Sequence, residues 1–218
     1  MDYLISDLHL DHDNIIDYCD RPFDSAETMN ETLVEAWNAT VDPGESVLYG
    51  GDLTIRESAA ALLDWLDELN GEIVFLLGNH DGTVFDGLDD VRFVESYRFE
   101  HRGVPFQAVH DPADAPSNPP GWLLHGHHHN NWPDRFPFVS HNDRRVNISV
   151  ELLDYRPLST DRLVDYLTCN NSGESRASAL VAQDLVFAPS PPGRTRRTLR
   201  ETRRRGAQAA LTPLFARD

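Results

Sequence analysis

Cysteine is scarce in this sequence of 218 residues, and lysine is absent altogether. The two cysteines, Cys19 and Cys169, have no CxxC spacing, and a chain of this size needs no disulfide framework. Both are therefore interpreted as ordinary thiols. This argues against a cysteine-based metal site, so a transition-metal site would have to use His, Asp, Glu and Asn side chains.

Long hydrophobic runs are also missing. The longest apolar runs, such as Ile73–Leu77, are far too short to span a bilayer, so no membrane partner is expected. The N-terminus has neither a basic region nor a signal-type apolar segment, which predicts a cytoplasmic location.

All 19 basic residues are arginine, and the net charge is -17. Such an acidic surface stays hydrated in high salt, at the cost of self-repulsion in low salt. The composition resembles that of halophilic archaeal proteins and argues against broad nonspecific binding of nucleic acid by the main body. The charge is uneven, because residues 189–218 hold eight arginines against Glu201 and Asp218, or +6, which leaves -23 for residues 1–188.

Composition divides the chain into three segments. We predict one domain over residues 1–168, a linker rich in Asn, Ser, Gly, Ala and Pro over residues 169–193, and an Arg-rich tail over residues 194–218. The tail is expected to be a solvated extension. Docking on the acidic body remains an alternative, as does attraction of RNA or DNA through salt-sensitive phosphate contacts.

In the first half of the chain, three apolar strands each end in a loop that carries Asp, His or Asn. Helices alternate with these strands, which predicts a largely parallel α/β sheet with ligands gathered beyond the carboxyl ends of its strands. The predicted strands are Met1–Ile5, Ser46–Tyr49 and Ile73–Leu77. The predicted helices run from a Ser25 cap to about Ala39 and over Glu57–Leu69.

The second half is richer in strands, which suggests antiparallel pairing in a second sheet packed on the first. A last helix is predicted over Ser159–Leu167, with Ser159 as its cap. The predicted strands are Val91–Val94, Tyr97–His101, Pro105–Val109, Trp122–His125 and Val146–Leu152.

Five short blocks carry metal-binding residue types. Two divalent cations in one cleft need oxygen and imidazole donors from several directions, and one anionic ligand to bridge them. Residues two apart in an extended segment point the same way, so the first and third residues of a D-x-H block can bind one ion together. The blocks are Asp7-Leu8-His9, Gly51-Asp52, Gly78-Asn79-His80-Asp81, His110 and Gly126-His127-His128-His129.

The order of these blocks resembles the calcineurin-like metallophosphoesterase superfamily, whose signature runs D-x-H, G-D, G-N-H-[DE], H, G-H-x-H. The resemblance implies a four-layer α/β/β/α sandwich with a dinuclear metal site at the strand ends. It also implies that Asp52 bridges the two ions. One ion would be bound by Asp7, His9, Asp52 and His129, and the other by Asp52, Asn79, His110 and His127.

The resemblance implies phosphoester hydrolysis with two divalent ions. They are Mn²⁺, Fe or Zn²⁺, which mixed oxygen and nitrogen ligation does not separate. The ions would lower the pKa of a bridging water, and the resulting hydroxide would attack in line. His80 would donate a proton to the leaving group rather than bind a metal, and Asp81 would orient His80.

A compact chain without an evident substrate-binding domain favours a phosphodiesterase acting on small molecules or nucleotides. One alternative is a nuclease whose basic tail holds nucleic acid. Another, from a different class, is a non-catalytic binding module on the same fold, although the complete ligand set and His80 argue against it. The oligomeric state is left open.

Four further residues invite a functional interpretation. His12 either lines the site or has a helix-entry or surface role, and the segment from Ile15 to Phe23 that follows resembles a small prokaryotic branch known only as phosphoesterases. His128 fills the variable position of its block and is not expected to bind metal. His125 is expected in the core or behind the ligands, and Arg56 is expected to be a solvated arginine at the start of a helix.

Overall fold

The computed structural model describes residues 1–56, 58–81 and 91–169, which form ten strands and four α-helices. The strands are β1 (Tyr3–Ile5), β2 (Ser46–Tyr49), β3 (Glu72–Leu76), β4 (Arg92–Val94), β5 (Ser96–His101), β6 (Val104–Val109), β7 (Trp122–His125), β8 (Val139–Ser140), β9 (Arg145–Asn147) and β10 (Leu158–Ser159). The helices are α1 (Asp13–Tyr18), α2 (Ala26–Thr40), α3 (Ala59–Glu68) and α4 (Thr160–Cys169).

The first sheet has the strand order β10-β1-β2-β3-β4. Strands β1 to β4 are parallel, and the short β10 adds antiparallel to the edge beside β1. Helix α2 lies between β1 and β2 along the chain, and α3 lies between β2 and β3. The predicted largely parallel α/β sheet is confirmed, and the loops that follow β1 to β4 lie at one edge of it.

The second sheet has the order β5-β6-β7-β9-β8, and the predicted antiparallel pairing is wrong for its centre. Strands β6, β7 and β9 are parallel, whereas only the outer pairs, β5 with β6 and β8 with β9, are antiparallel. The long segments between β6 and β7 and between β7 and β9 leave room for the crossovers that parallel neighbours require. Parallel central strands place the residues after β6 and β7 at a single edge.

The predicted strand Val146–Leu152 is also wrong over its second half. Strand β9 ends at Asn147, and Val150–Leu153 form a 3-10 helix. The chain leaves the sheet there because Ser149 pairs with Ser6 of the first sheet, where Val150 N donates to the Ser6 carbonyl at 3.1 Å. This crossover ties the two sheets together at the edge where the polar loops lie.

Serine side chains cap helices α2 and α3 at their N-termini. Ser25 caps α2 by accepting a hydrogen bond from Thr28 N at 3.2 Å, as predicted. Ser58 caps α3 by accepting from Ala61 N, so this helix starts at Ala59 rather than at Glu57, which lies outside the described residues. The six-residue α1 was not predicted, and Ser159, the last residue of β10, directly precedes α4 at the position predicted for its cap.

One apolar core joins the sheets and the helices. Leu4 and Leu48 of the first sheet, Leu124 of the second sheet and Trp37 of α2 are all buried in the same cluster. Two mixed sheets flanked by helices form the predicted α/β/β/α sandwich. Within the described residues, no helix has the length and apolarity needed to cross a membrane.

The proposed division of the chain stays a prediction. The described residues end at residue 169, so they include the predicted domain over residues 1–168 apart from residues 57 and 82–90. The remainder of the linker and the whole Arg-rich tail lie outside the described residues. Cys19 and Cys169 are both thiols, as expected.

Candidate metal centre

The predicted metal ligands follow the carboxyl ends of strands from both sheets. Asp7 comes after β1, Asp52 after β2 and Asn79 after β3, all in the first sheet. The second sheet contributes the residues after β6 and β7, which are His110, His127 and His129. All seven predicted ligands, with His9 beside Asp7, are brought together at one place.

The first donor cluster consists of Asp7, His9 and His129. One ligand atom from each lies within 4.8 Å of the others. His129 Nε2 is 4.0 Å from Asp7 Oδ1, and the rings of His9 and His129 have centroids 5.1 Å apart. All three side chains are buried, so they present two imidazoles and a carboxylate away from bulk water.

The second donor cluster consists of Asp52, His110 and His127, whose ligand atoms also lie within 4.8 Å of one another. Asn79 joins this cluster, because its Oδ1 is 3.1 Å from His110 Nε2 and 2.9 Å from His127 Nδ1. The four residues match the predicted second ligand set.

Asp52 lies between the two clusters. Its Oδ2 is 3.3 Å from His110 Nε2 in the second cluster and 3.6 Å from His9 Nε2 in the first. Among the described residues, His9 Nε2 is buried without a hydrogen-bond partner, which is costly for a polar atom. A cation beside this nitrogen would satisfy it, so the donor set fits divalent metal ions.

Charge within the site shifts the pKa of several ligands. Burial alone would lower the pKa of His129, but attraction to Asp7 and hydrogen bonds to Cys19 and Glu151 outweigh it and raise the pKa to about 11. Burial likewise opposes the shift at His110, where the hydrogen bond to Asp52 and nearby carboxylates raise the pKa to about 9. Desolvation dominates at His9 and lowers its pKa to about 3. The metal-free site therefore holds a mixture of charged and neutral imidazoles.

The backbone of the ligand loops is strained. Five ligands have φ between 49° and 69°, in the left-handed region that side-chain-bearing residues rarely adopt. Each such residue costs on the order of 1–3 kcal/mol and persists only when its surroundings hold it there. The residues are Asp7, His9, Asp52, His127 and His129.

Glycines allow the loops to approach each other closely. A Cβ at Gly78 would clash with the backbone and carboxylate of Asp52, and a Cβ at Gly126 would clash with the carboxylate of Asp7. Gly51 has φ of 101°, and a Cβ there would meet His110 Nδ1 at 2.6 Å. The glycines of the G-D, G-N-H and G-H-x-H blocks are therefore required by space, and Gly51 is required by its backbone conformation as well.

The two predicted catalytic residues have different environments. His80 is exposed, and its ring lies edge-on to His9 with centroids 5.3 Å apart, so it can reach a bound substrate. Asp81 accepts hydrogen bonds from the backbone N–H groups of Asp52, Leu53 and Gly78, at 2.7, 2.9 and 2.7 Å. These contacts describe a residue that holds two ligand loops, and the orientation of His80 by Asp81 stays a prediction.

His12 lines the site, which the sequence left undecided. It is buried, its Nδ1 is 3.4 Å from His9 Nδ1, and its ring centroid is 6.4 Å from that of His80. Tyr18, two-thirds exposed, lies edge-on to His12 with centroids 6.4 Å apart. The rings of His80, His12 and Tyr18 therefore line one wall of the site, which extends from beside the ligand His9 to the protein surface.

His125, His128 and the exposure of Arg56 follow the sequence interpretation, but Arg56 lies two residues before the Ser58 cap rather than at the start of the helix. His125 is buried behind the ligands, with Nδ1 3.0 Å from the Gly126 carbonyl. His128 stacks on Phe136 with ring centroids 3.6 Å apart and stands outside both donor clusters. Arg56 is exposed and forms an ion pair with Asp11 at 3.0 Å.

Four residues that support the ligands were missed by sequence reasoning. Ser6 and Ser149 donate to Asp7 Oδ2 at 2.5 and 2.8 Å, and Glu151 accepts from Arg21 and His129. Arg21 lies in the segment noted for its resemblance to a prokaryotic branch, which was its only signal. Single serines and a lone glutamate in a predicted strand carry no signal for such a role.

Comparisons with known proteins agree with this architecture. The sequence model of calcineurin-like phosphoesterases matches residues 3–183. An uncharacterised protein of Methanocaldococcus jannaschii is 42% identical over 165 residues, covering 74% of this chain and 88% of that relative. The gene 66 protein of Mycobacterium phage L5 is 29% identical over 103 residues, covering 45% of this chain and 49% of that protein.

A solved structure has the same overall fold. This protein of unknown function from Aquifex aeolicus is 23% identical and superposes with a TM-score of 0.57, over 76% of this chain and 97% of its own. Together with the match over residues 3–183, the ordered blocks and the two donor clusters place the sequence in one family. This chain belongs to the calcineurin-like phosphoesterase family.

Proposed function

We propose that this protein is a dinuclear metal-dependent phosphoester hydrolase that acts on phosphodiesters of small molecules or nucleotides. The observation that carries the proposal is the pair of donor clusters, the first buried and the second partly buried, with the Asp52 carboxylate between them. Two histidine-and-carboxylate clusters that share one anionic group are what a two-metal hydrolase requires. The ions are Mn²⁺, Fe or Zn²⁺, as the mixed donor set allows.

The ligand roles in this proposal follow the two clusters. Asp7, His9 and His129 would hold one ion, Asn79, His110 and His127 would hold the other, and Asp52 would contact both. When bound, two divalent ions neutralise phosphoryl oxygens and lower the pKa of water at the site.

His80 supplies the proton for the leaving group in this proposal. Its backbone N–H donates to Asp52 Oδ1 at 2.9 Å, which fixes the position of His80 beside both clusters while the ring stays exposed. A protonated imidazole in that place can donate to a departing alkoxide, a task worth about 10²–10⁴-fold in rate.

The exposed ring of Tyr18 supports a substrate with a planar organic group. The ring stands at the outer end of the wall formed by His80 and His12, on the side of the proposed general acid. A nucleobase or an aryl group attached to the leaving oxygen would lie along this wall. Stacking of one base on an aromatic side chain contributes about 1–3 kcal/mol, which suits selection of nucleotides or aryl esters.

The experiment measures metal-dependent hydrolysis of bis-(p-nitrophenyl) phosphate in high salt. We expect manganese-dependent turnover by the wild type, and its loss in Asp52→Asn and His80→Ala. The matched control is His141→Ala, which removes an exposed imidazole that packs on Trp122 in the second sheet. Turnover by all variants alike, or none in folded and metal-loaded wild type, would refute the diesterase proposal.

Two alternatives are distinguished when the same variants are also assayed on long polynucleotides and on a phosphomonoester. If the Arg-rich tail held nucleic acid for a nuclease, deletion of residues 189–218 would impair cleavage of long polynucleotides and spare the small diester. A binding module would bind two ions yet turn over neither mono- nor diesters. The cytoplasmic location, the halophilic setting and the oligomeric state stay predictions or open questions that this assay does not address.

A further inference from the structure

Arg21 is a buried arginine that is not one of the predicted metal ligands. Its side chain is completely buried, and so nearly is that of its partner Glu151. Charged side chains are almost never buried unless they are paired, and a buried ion pair contributes little net stability when compared with an apolar pair. The position of this pair therefore calls for an explanation other than stability.

The guanidinium of Arg21 holds the first ligand loop by its backbone. Nη2 donates to the Asp7 carbonyl and Nη1 donates to the Leu8 carbonyl, both at 2.7 Å. These carbonyls lie in the segment where Asp7 and His9 have φ of 61° and 51°. Because a strained segment persists only when its surroundings hold it, these two hydrogen bonds stabilise the loop in the conformation that aims both ligands into the first cluster.

The same guanidinium positions His129 through Glu151. Arg21 Nε and Nη2 donate to Glu151 Oε1 at 2.9 and 2.6 Å, and that oxygen is also 2.9 Å from His129 Nδ1. A carboxylate that accepts from Nδ1–H fixes the tautomer and the orientation of the ring. His129 is then left with Nε2 directed to the side of Asp7, whose Oδ1 lies 4.0 Å away.

We propose that Arg21 and Glu151 act as a latch that holds Asp7, His9 and His129 ready for one metal ion. Within the described part of the chain, the side-chain hydrogen bonds of Arg21 go to Met29, to the carbonyls of the first ligand loop and to Glu151. None of them reaches the second cluster. The inference rests on the proposed two-metal function and adds that its two ion sites depend on different supporting residues.

The test measures the affinity of each ion separately. Metal-free wild type, Glu151→Gln and Arg21→Lys are titrated with Mn²⁺ by calorimetry, and free Mn²⁺ is followed by electron paramagnetic resonance. We expect one of the two ions to bind about 10- to 100-fold more weakly in both variants, with the other affinity changed less than about twofold. Cobalt(II) spectra of the same variants report which coordination environment has changed.

Marker variants assign the affected ion. His9→Ala removes a ligand from the first cluster only, and Asn79→Ala removes one from the second only. The latch variants are expected to reproduce the cobalt spectrum and the binding pattern of His9→Ala. Arg102→Met removes an exposed ion pair with Asp165 and is expected to bind both ions as the wild type does.

The outcomes distinguish the latch from a general structural role. Equal weakening of both ions, no weakening, or a pattern like that of Asn79→Ala would overturn the latch. Selective loss of the first ion would support it even if the protein hydrolysed no ester, in which case only the proposed function would fail. A wild type that binds no divalent ion would overturn both.

Discussion

Replacement of Asp81 separates two roles that this residue could have. The carboxylate accepts from Asp52 N and Leu53 N in the loop after β2, and from Gly78 N in the loop after β3. In Asp81→Ala these three amides lose their acceptor. If Asp81 only oriented His80, the substitution would lower the hydrolysis rate and leave the free energy of unfolding nearly unchanged.

The expected loss of stability follows from these bonds and from burial of the charge. Hydrogen bonds to a charged group contribute about 1.5–3 kcal/mol each, so three contribute roughly 4–9 kcal/mol. Burial, with the nearby charge of Asp52, opposes them, and even with the three hydrogen bonds in place the pKa of the Asp81 carboxyl is raised from 3.8 to about 6. Burial therefore offsets part of the contribution of the hydrogen bonds, and we expect Asp81→Ala to lower the free energy of unfolding by about 2–6 kcal/mol near neutral pH.

Urea unfolding of the metal-free protein at constant high salt measures this loss, since urea leaves the ionic strength unchanged.

The raised pKa also makes the contribution of Asp81 to the free energy of unfolding depend on pH. The folded protein binds the proton more tightly, so the contribution of Asp81 is larger at pH 5 than at pH 7.5, and a part of it, about 3 kcal/mol, is lost as pH rises from about 4 through about 6. Asp81→Asn keeps one acceptor oxygen and is expected to lose less stability than Asp81→Ala. A loss below about 1 kcal/mol in Asp81→Ala, with hydrolysis reduced as in His80→Ala, would refute the reasoning.

Two further predictions follow from the charge and the close packing of the site. Ion binding at pH 7.5 is expected to release protons, because the pKa of His110 is raised to about 9 and that of His129 to about 11, and apparent affinity should therefore rise with pH towards 9. Calorimetry in two buffers of different ionisation enthalpy counts the protons, and release of none would contradict the assignment. Gly126→Ala is expected to abolish Mn²⁺ binding and lower the melting temperature, because its Cβ would clash with Asp7. In the matched control, Gly44→Ala, the Cβ meets nothing within 4 Å, and both measurements should stay unchanged.

The sequence predicted the first sheet better than the second. Apolar runs separated by helices predicted the parallel arrangement of β1, β2 and β3, and the predicted bounds of the strand Ser46–Tyr49 are those of β2. In the second half, a succession of strands along the chain predicts antiparallel neighbours in space, which is correct only for the outer pairs. The parallel pairs β6 with β7 and β7 with β9 depend on long irregular crossovers, whose path is set by tertiary contacts rather than by local pattern.

The donor residues could be predicted from the sequence because metal chemistry restricts their types and strand ends restrict their places. The supporting residues could not. Glu151 was assigned to a strand, yet it lies in a 3-10 helix and reaches His129 across 22 positions. Arg21 contacts Glu151 across 130 positions. Such pairs have no periodicity and no fixed spacing, so only the folded chain reveals them.

Protons and metal ions compete for the same charges in this site. Without metal, three buried carboxylates, Asp7, Asp52 and Glu151, all keep a lowered pKa and stay ionised. The positive charges beside them are the guanidinium of Arg21 and the protonated imidazoles of His110 and His129. Two of these three positive charges leave as protons when the imidazoles bind metal, whereas the guanidinium remains. The permanent cation of Arg21, which is hydrogen-bonded to the first ligand loop, therefore keeps Glu151 ionised in both states. The Glu151 carboxylate can then hold His129 whether the Nε2 of His129 carries a proton or binds a metal ion.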